Sequence, residues 1–216
     1  MSVFYKPSKS SDRYTAEDVT ILIPVYNEDE TIFRNVIDSV SRQGSEFIVF
    51  GDSCDEPFRH ITEENGGKFV HVIKHTGKRG IMSIAIDYVK TPFVMFVDSD
   101  TILPDNAEKD MMLYFSENVG GVGSNITIYN NGKGVSSSSE FVERVREVLF
   151  KALSRSGSVM VLDGRCVIYK TEIVKPFLTS VEFTDNRILG KKSVLGDDRQ
   201  ITSYILHSGY KAVKDY

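Results

Sequence analysis

The sequence has few of the features that mark secreted, membrane-spanning or nucleic-acid-binding proteins. Its two cysteines, Cys54 and Cys166, are too few for a disulfide framework and fit a reducing compartment. Its polar first residues include no apolar stretch of the kind found in signal peptides. No run reaches the roughly 18 apolar residues that a membrane span requires. The formal net charge of −4 offers no basic excess to a nucleic acid. We therefore expect a cytoplasmic protein with no membrane span in this chain and no nucleic-acid partner.

Several standard nucleotide-binding and metal-binding motifs are missing as well. The chain has no GxxxxGK[ST] sequence, and no GxGxxG follows its first apolar run, which argues against the common NTPase and dinucleotide-binding classes. The four histidines show no metal-ligand spacing such as HExxH.

The composition predicts one soluble folded domain. The chain has 216 residues, of which 41% are hydrophobic and 26% charged. This is enough apolar material for a sizeable core. Residues 1–18 are polar and rich in serine and lysine, so we expect a flexible N-terminal arm followed by a single domain over residues 19–216.

The first half of the chain alternates apolar runs with helical patterns. The spacing of apolar residues predicts one helix around Ile32–Val40, a second over Pro57–Glu64 and a third from Gly77 to Val89. Such alternation is typical of an α/β fold with a mostly parallel central sheet flanked by helices. The predicted strands are Val19–Pro24, Phe47–Phe50, Phe69–Ile73 and Phe93–Val97.

The second half is less regular. We expect Glu140–Leu153 to be an amphipathic helix with Phe141, Val145, Val148 and Leu149 on its buried side. The other predicted segments are a helix over Asp105–Ser116, a strand over Val122–Tyr129, a mobile loop over Val135–Ser139, strands over Val159–Leu162 and Cys166–Tyr169, a loop over Glu182–Lys192, a helix from Gly196 to His207, and a strand from Tyr210 onward.

All four strands of the first half lead into polar or acidic loops. These loops are Tyr26-Asn27-Glu28, Asp52, His75–Gly80 and Asp98-Ser99-Asp100. In a parallel sheet the carboxyl ends of the strands meet at one edge, where open α/β sheets bind their ligands. The sequence therefore predicts one crevice lined by all four loops.

The segment Asp98-Ser99-Asp100 is the strongest candidate for a metal site. Two carboxylates at positions i and i+2 of an extended segment point to the same side. Such oxygen ligands suit Mg²⁺ or Mn²⁺, which would neutralise the charge on a leaving diphosphate. A solvated turn or a helix N-cap remains an alternative for this pair.

Two further groups of residues have both a functional and a structural interpretation. Asp52 could accept hydrogen bonds from a base or ribose, or could cap a turn. Lys78 and Arg79 lie between Gly77 and Gly80 at a predicted helix start, where they could contact a phosphate or form an exposed basic turn.

A second acidic pair, Asp197-Asp198, precedes a helix. Both acids could stabilise the helix by lying at its N-terminus, the positive end of the helix dipole, or one could act as a general base in the crevice. Arg199 could pair with an acid or with a diphosphate.

Taken together, these motifs resemble family-2 glycosyltransferases of GT-A fold. The resemblance extends from Val19 to the end and is greatest to the hyaluronan synthase, chitin synthase and NodC-like branch. The segments that carry it are ILIPVYNED, the strand end at Asp52, GKRG, VDSDTILP, GGVG, ERVREVLF, GRCVIYK and GDDRQITSYILHSGYK.

The resemblance implies a role for each matching residue. It makes the domain a catalytic one, with a donor half over about 19–104 and an acceptor half over about 105–216. Asp98 and Asp100 would be the metal ligands, and Asp198 the catalytic base with Asp197 beside it. Residues near the acceptor, a saccharide or lipid-linked hydroxyl, would be Gly164, Arg165 and Arg199. The donor, expected to be a UDP-sugar, would contact Pro24, Val25, Tyr26, Glu28, Asp52, Lys78, Arg79, Asp98, Ser99 and Asp100.

The chain departs from the family pattern at three places. Gly51-Asp52-Ser53-Cys54 stands where many members have DDGS or DGS. Asp163-Gly164-Arg165 replaces a more usual Ser-Gly pair. No QxxRW motif or membrane helix follows GDDR, so we expect the catalytic domain of a membrane synthase or a reduced relative, located in the cytoplasm or at the cytoplasmic face of a membrane.

Three functions therefore stand as hypotheses. The first is an inverting, metal-assisted sugar transferase. The second is a non-catalytic module that binds a nucleotide sugar. The third is a sugar-1-phosphate nucleotidyltransferase, although Val25-Tyr26-Asn27-Glu28 occupies the place of the glycine-rich loop that such enzymes carry after their first strand.

Overall fold

A computed structural model describes residues 14–128, 134–185, 187–188, 191–192 and 196–215. Within them, a short 3₁₀ helix (Ala16–Asp18) precedes the first strand, and a second 3₁₀ turn (Ile86–Tyr88) follows the third helix. The strands are β1 (Val19–Val25), β2 (Glu46–Asp52), β3 (Lys68–Val72), β4 (Phe93–Val97), β5 (Val119–Gly123), β6 (Cys166–Lys170), β7 (Arg187–Ile188), β8 (Lys191–Lys192) and β9 (Lys211–Lys214). The helices are α1 (Glu30–Ser41), α2 (Phe58–Glu64), α3 (Gly77–Ala85), α4 (Ala107–Met112), α5 (Gly134–Ser154), α6 (Thr171–Leu178), α7 (Val181–Thr184) and α8 (Asp197–His207).

The central sheet has seven strands in the order β3-β2-β1-β4-β6-β5-β9. β1, β2, β3 and β4 run parallel, as do β5 and β9, whereas β6 is antiparallel to both of its neighbours. The prediction of a mostly parallel sheet flanked by helices is confirmed. Because β6 is reversed and Cys166 pairs with Val97, the residues just before β6 lie at the edge where β4 ends.

Two apolar clusters fill the two faces of this sheet. Alternate residues of β1 point to opposite sides: Ile21 and Ile23 pack with α1, whereas Leu22 packs with α3. Both faces are therefore buried, which explains why β1 and β4 read as continuous apolar runs. The helices cover both faces of the sheet, and the loops at the carboxyl ends of the parallel strands remain available to form a site.

Several predictions for the second half are wrong. The strand expected at Val122–Tyr129 runs from Val119 to Gly123, and Tyr129 lies outside the described residues. Val159–Leu162 is not a strand: the Val159 N–H donates to the Ala212 carbonyl of β9 (3.1 Å), but the Leu162 N–H donates to the Thr202 hydroxyl (2.9 Å) instead of to a strand. The expected loop at Glu182–Lys192 includes part of α7 and the short pair β7–β8. Helix α6 was not predicted.

Helix α5 differs from its prediction in extent and in orientation. The loop expected over Val135–Ser139 is part of this helix. The expected buried residues Phe141, Val145, Val148 and Leu149 are each more than half exposed. The face that packs against the protein carries Glu143, Arg146, Glu147 and Phe150, because its charged groups find partners there.

The expected N-terminal arm lies largely outside the described residues. The Tyr14 ring packs edge-on against Phe93, with their centroids 4.7 Å apart, and Ala16–Asp18 forms the 3₁₀ helix. Among the described helices, none combines the length and the apolar character needed to cross a membrane.

Candidate functional site

A crevice of about 230 Å³ opens at the edge of the sheet where β1, β2 and β4 end. The four loops that the sequence predicts to converge meet here, because parallel strands deliver their carboxyl ends to one side. Ile81 of α3 also contributes to the crevice and was predicted only as a packing residue. The remaining lining residues were all predicted donor contacts: Pro24, Val25, Tyr26, Glu28, Asp52, Lys78, Asp98, Ser99 and Asp100.

Asp52 holds the loop that precedes α3. Its Oδ1 accepts from the Thr76 N–H (2.8 Å) and its Oδ2 from the Gly77 N–H (2.9 Å). The His75 Nδ1 also lies 2.8 Å from Oδ2. The carboxylate is buried and caps the first turn of α3, so the structural interpretation of Asp52 is correct whatever else it contacts.

Two aromatic rings stand at the rim of the crevice beside Asp52. The Tyr26 ring lies 4.3 Å from the His75 ring, centroid to centroid, at an interplanar angle of 35°. Tyr26 is 55% exposed although it follows a buried strand. An exposed ring held by a neighbour can stack on a planar group such as a nucleobase.

Lys78 lies between Asp98, a candidate metal ligand, and the loop that contains Gly164. Its Nζ lies 2.5 Å from Asp98 Oδ1 and 3.5 Å from the Gly164 carbonyl oxygen. Burial by itself lowers the pKa of Lys78, but the Asp98 carboxylate together with Asp197 and Asp198 outweighs it, so that this pKa is raised. Lys78 therefore stays a cation among acids.

The turn Asp98-Ser99-Asp100 is tied to the loop after β1. The Ser99 hydroxyl donates to Glu28 Oε2 (3.0 Å), and Asp100 is exposed. Within the described residues no three histidine, cysteine or acidic side chains form a closed metal cage. Asp98 and Asp100 nevertheless fit Mg²⁺ or Mn²⁺, since these ions bind through one or two carboxylates plus phosphate and water oxygens.

Asp198 lies on the far side of Lys78 at the start of α8. A methyl group added at Gly164 would lie 3.5 Å from Asp198 Cβ and 3.6 Å from Lys78 Nζ, so these three residues are close neighbours. Burial raises the pKa of Asp198, and the Asp197 carboxylate adds to the rise. A carboxylate with a raised pKa is a suitable general base.

Three other candidates are placed differently. Arg79 is buried away from the crevice, where its Nη1 donates to the Phe183 carbonyl (3.0 Å) and to Gln200 Oε1 (2.7 Å). The Arg165 guanidinium pairs with Asp163 and not with the crevice, although the Arg165 backbone borders the site. Arg199 is exposed on the first turn of α8. The structure therefore brings Lys78 into the crevice without Arg79.

The chain was compared with protein families and with curated proteins. A family model described as "Glycosyltransferase like family 2" matches residues 16–214. An N-acetylglucosaminyltransferase from Azorhizobium caulinodans is 26% identical over 211 residues, which cover 89% of this chain and 51% of that protein. A hyaluronan synthase from Streptococcus pyogenes is 24% identical over 231 residues, covering 97% of this chain and 53% of that protein. The chain spans about half the length of these relatives.

Solved structures resemble the fold over nearly the whole chain. The mannosyltransferase PcManGT from Pyrobaculum calidifontis, in complex with GDP-Man and Mn²⁺, superimposes with a TM-score of 0.73 at 17% identity, covering 98% of this chain and 59% of that one. TarS residues 1–349 from S. aureus give a TM-score of 0.61 at 20% identity, covering 91% and 57%. The predicted GT-A fold is confirmed.

Proposed function

The chain belongs to glycosyltransferase family 2, and from this membership we propose that it transfers a sugar from a nucleotide-diphosphate sugar to a hydroxyl acceptor, with inversion at the anomeric carbon. One observation carries the proposal: Lys78 lines the crevice into which the strand ends open, and it interacts with both Asp98 and Asp198. Inverting transfer needs such an arrangement, with charge stabilisation at the leaving group and a base at the attacking hydroxyl.

The donor would lie in the crevice of about 230 Å³. Its base would lie against the rim formed by Tyr26, and its diphosphate would approach Lys78 and the two acids of the Asp98-Ser99-Asp100 turn. A divalent ion, when bound by Asp98 and Asp100, supplies positive charge that neutralises the leaving nucleoside diphosphate. Lys78 adds a second cation from the chain itself, and Ile81 gives the floor of the crevice an apolar surface.

Asp198 would accept the proton of the acceptor hydroxyl while that oxygen attacks the anomeric carbon. Its raised pKa reflects burial, which makes the carboxylate a stronger base than an exposed one. The attack and the departure of the diphosphate occur on opposite faces of the sugar, so the product has inverted configuration. Gly164 leaves room between Asp198 and Lys78, because it has no side chain there.

The identity of the donor is also a proposal. The residues suggest a UDP-sugar through their resemblance to synthases of that type, whereas the structural neighbour PcManGT holds GDP-Man. We propose UDP as the nucleotide and Mn²⁺ or Mg²⁺ as the ion. The site would operate in the cytoplasm or at the cytoplasmic face of a membrane, on a saccharide or lipid-linked acceptor.

A non-catalytic nucleotide-sugar-binding module is the second candidate, because the crevice and its acids could hold a donor without transferring its sugar. The test is release of nucleoside diphosphate from UDP-sugars and GDP-sugars, with Mn²⁺ and a panel of saccharide acceptors. The enzyme hypothesis expects turnover that is lost in Asp198→Asn while donor binding persists. Donor binding without any turnover in the wild type, including slow hydrolysis, would favour the binding module.

A further inference from the structure

Six charged side chains are gathered between α5, the loop before β6, and β9. Among the described residues they are three acids and three bases. Ion pairs join Glu143, Asp163, Arg146 and Arg165, and Glu147 pairs with Lys214 beside them. Burying charges is costly unless each is paired, so a network of this size is retained only where its members have partners. None of these six residues lines the crevice, yet two of them, Asp163 and Arg165, are the chain neighbours of Gly164.

Asp163 lies beside Gly164 and accepts four hydrogen bonds from two arginines. Its Oδ1 accepts from the Arg165 backbone N–H (3.0 Å) and from Arg165 Nε (2.8 Å). Its Oδ2 accepts from Arg165 Nη2 (2.6 Å) and from Arg146 Nη2 of α5. The residue is 5% exposed. Although burial works against ionisation, the hydrogen bonds from Arg165 and Arg146 hold the pKa of Asp163 far below its usual range.

The loop that Asp163 anchors contacts both sides of the crevice. The Arg165 carbonyl accepts from the Asp98 N–H (2.9 Å), at the start of the metal-binding turn. The Gly164 carbonyl lies 3.5 Å from Lys78 Nζ. On the other side, the Leu162 N–H donates to the Thr202 hydroxyl (2.9 Å).

That hydroxyl in turn donates to the Asp198 carbonyl (2.7 Å). Through these hydrogen bonds the loop connects the two acids that the proposed reaction uses.

We propose that Asp163 is a positioning residue of this site. By pairing with Arg165 and Arg146 it fixes the loop 162–165, and the loop in turn holds Asp98 and Asp198 in place on either side of Lys78. The inference rests on the proposed function, because it assigns those two acids to the diphosphate and to the base. It also connects the site to α5, because Arg146 of that helix pairs with Asp163 from outside the loop.

The network contains its own control. Glu147 pairs with the fully buried Lys214 of β9, and in the part of the chain that the structure describes neither side chain forms a hydrogen bond or an ion pair with the loop 162–165. Asp163→Asn and Glu147→Gln each replace a buried carboxylate by an amide of the same shape. Both changes leave a cation short of a carboxylate partner: Arg146 and Arg165, which are partly buried, or Lys214, which is fully buried. Only Asp163→Asn places an NH₂ group against the guanidinium donors that hold the loop.

The test combines hydrogen exchange at the Asp98 amide with calorimetric titration of UDP and GDP in the presence of Mn²⁺. Exchange is normalised to the amide of Leu22 in β1, so that a change in global stability cancels. We expect Asp163→Asn to raise normalised exchange at Asp98 and to weaken Mn²⁺-dependent nucleotide binding by about tenfold, the scale of a lost outer-shell partner. We expect Glu147→Gln to change neither.

Equal effects of the two variants, or unchanged exchange at Asp98 in Asp163→Asn, would overturn the inference. If Asp163→Asn does not fold, Arg146→Gln removes one of the two guanidinium partners and must show the same direction of change. A wild type that binds neither nucleotide would count against the proposed function. The exchange comparison would then decide the positioning role alone.

Discussion

Glu108 offers a quantitative test of the packing because it is a buried carboxyl with little to stabilise its charge. It lies on α4 with 3% of its surface exposed, and in the described part of the chain its Oε2 has no hydrogen-bond partner. Burial raises the pKa of Glu108 from 4.5 to about 7, and a hydrogen bond from Ser45 offsets only part of the rise. The folded protein therefore holds a proton there that the unfolded chain releases.

The sign and size of the effect follow from this difference. Between pH 4.5 and 7 the native state binds the proton and the unfolded state does not, so the free energy of unfolding falls as the pH rises through this window. One pKa unit corresponds to about 1.4 kcal/mol, which gives a loss of about 3 kcal/mol, completed near pH 7. Glu108→Gln mimics the protonated form and does not titrate.

We therefore expect Glu108→Gln to match the wild type near pH 4.5 and to exceed it by about 3 kcal/mol at pH 8. Urea unfolding at several pH values, followed by far-UV circular dichroism, measures both proteins; tyrosine fluorescence is a second probe, since the chain has no tryptophan. All other titrating groups cancel in the difference between the two curves. A difference that stays flat from pH 5 to 8, or that shrinks with rising pH, would refute the assignment.

Three more variants test separate parts of the account. Lys78→Met removes the cation beside Asp98, and we expect calorimetry to show nucleoside diphosphate binding weakened by about tenfold or more; unchanged affinity would exclude Lys78 from the donor site. Arg79→Met removes hydrogen-bond donors to α7 and α8, and should lower the free energy of unfolding by about 1–3 kcal/mol while leaving nucleotide affinity intact. Unchanged stability in urea unfolding together with weakened nucleotide binding in calorimetry would instead place Arg79 in the donor site. Gly51→Ala would place a Cβ 2.2 Å from the Cys54 carbonyl oxygen, so the thermal midpoint should fall sharply, and a stable variant would show that the loop after β2 can move aside.

The crevice could be predicted because its residues sit at strand ends. Buried parallel strands are recognisable as continuous apolar runs, and their carboxyl ends must share an edge. The sequence therefore indicated that Tyr26, Asp52, Lys78 and Asp98 would meet. Ile81 also lines the site, but its place on the apolar face of α3 gave no signal beyond packing.

The misassigned residues in α5 and α3 have separate physical causes. The apolar spacing of α5 predicted a buried side containing Phe141 and Leu149, yet the helix buries Glu143 and Glu147 instead, because the cations that pair with them, Arg165 and Lys214, come from segments outside the helix. Periodicity records which residues share a face but not which face is buried. Arg79 was grouped with Lys78 by adjacency, whereas neighbouring helical residues point in different directions.

The central claim, that the crevice binds a nucleotide diphosphate through Asp98-Ser99-Asp100 and a divalent ion, is tested most directly by calorimetric titration. UDP and GDP would be titrated separately into the protein with and without Mn²⁺, and again into Asp100→Asn. We predict Mn²⁺-dependent binding of UDP that is lost in the variant. Binding of GDP alone would keep the site and change the donor. Binding that needs no metal and survives in Asp100→Asn, or no binding of either nucleotide by the folded wild type, would contradict the claim.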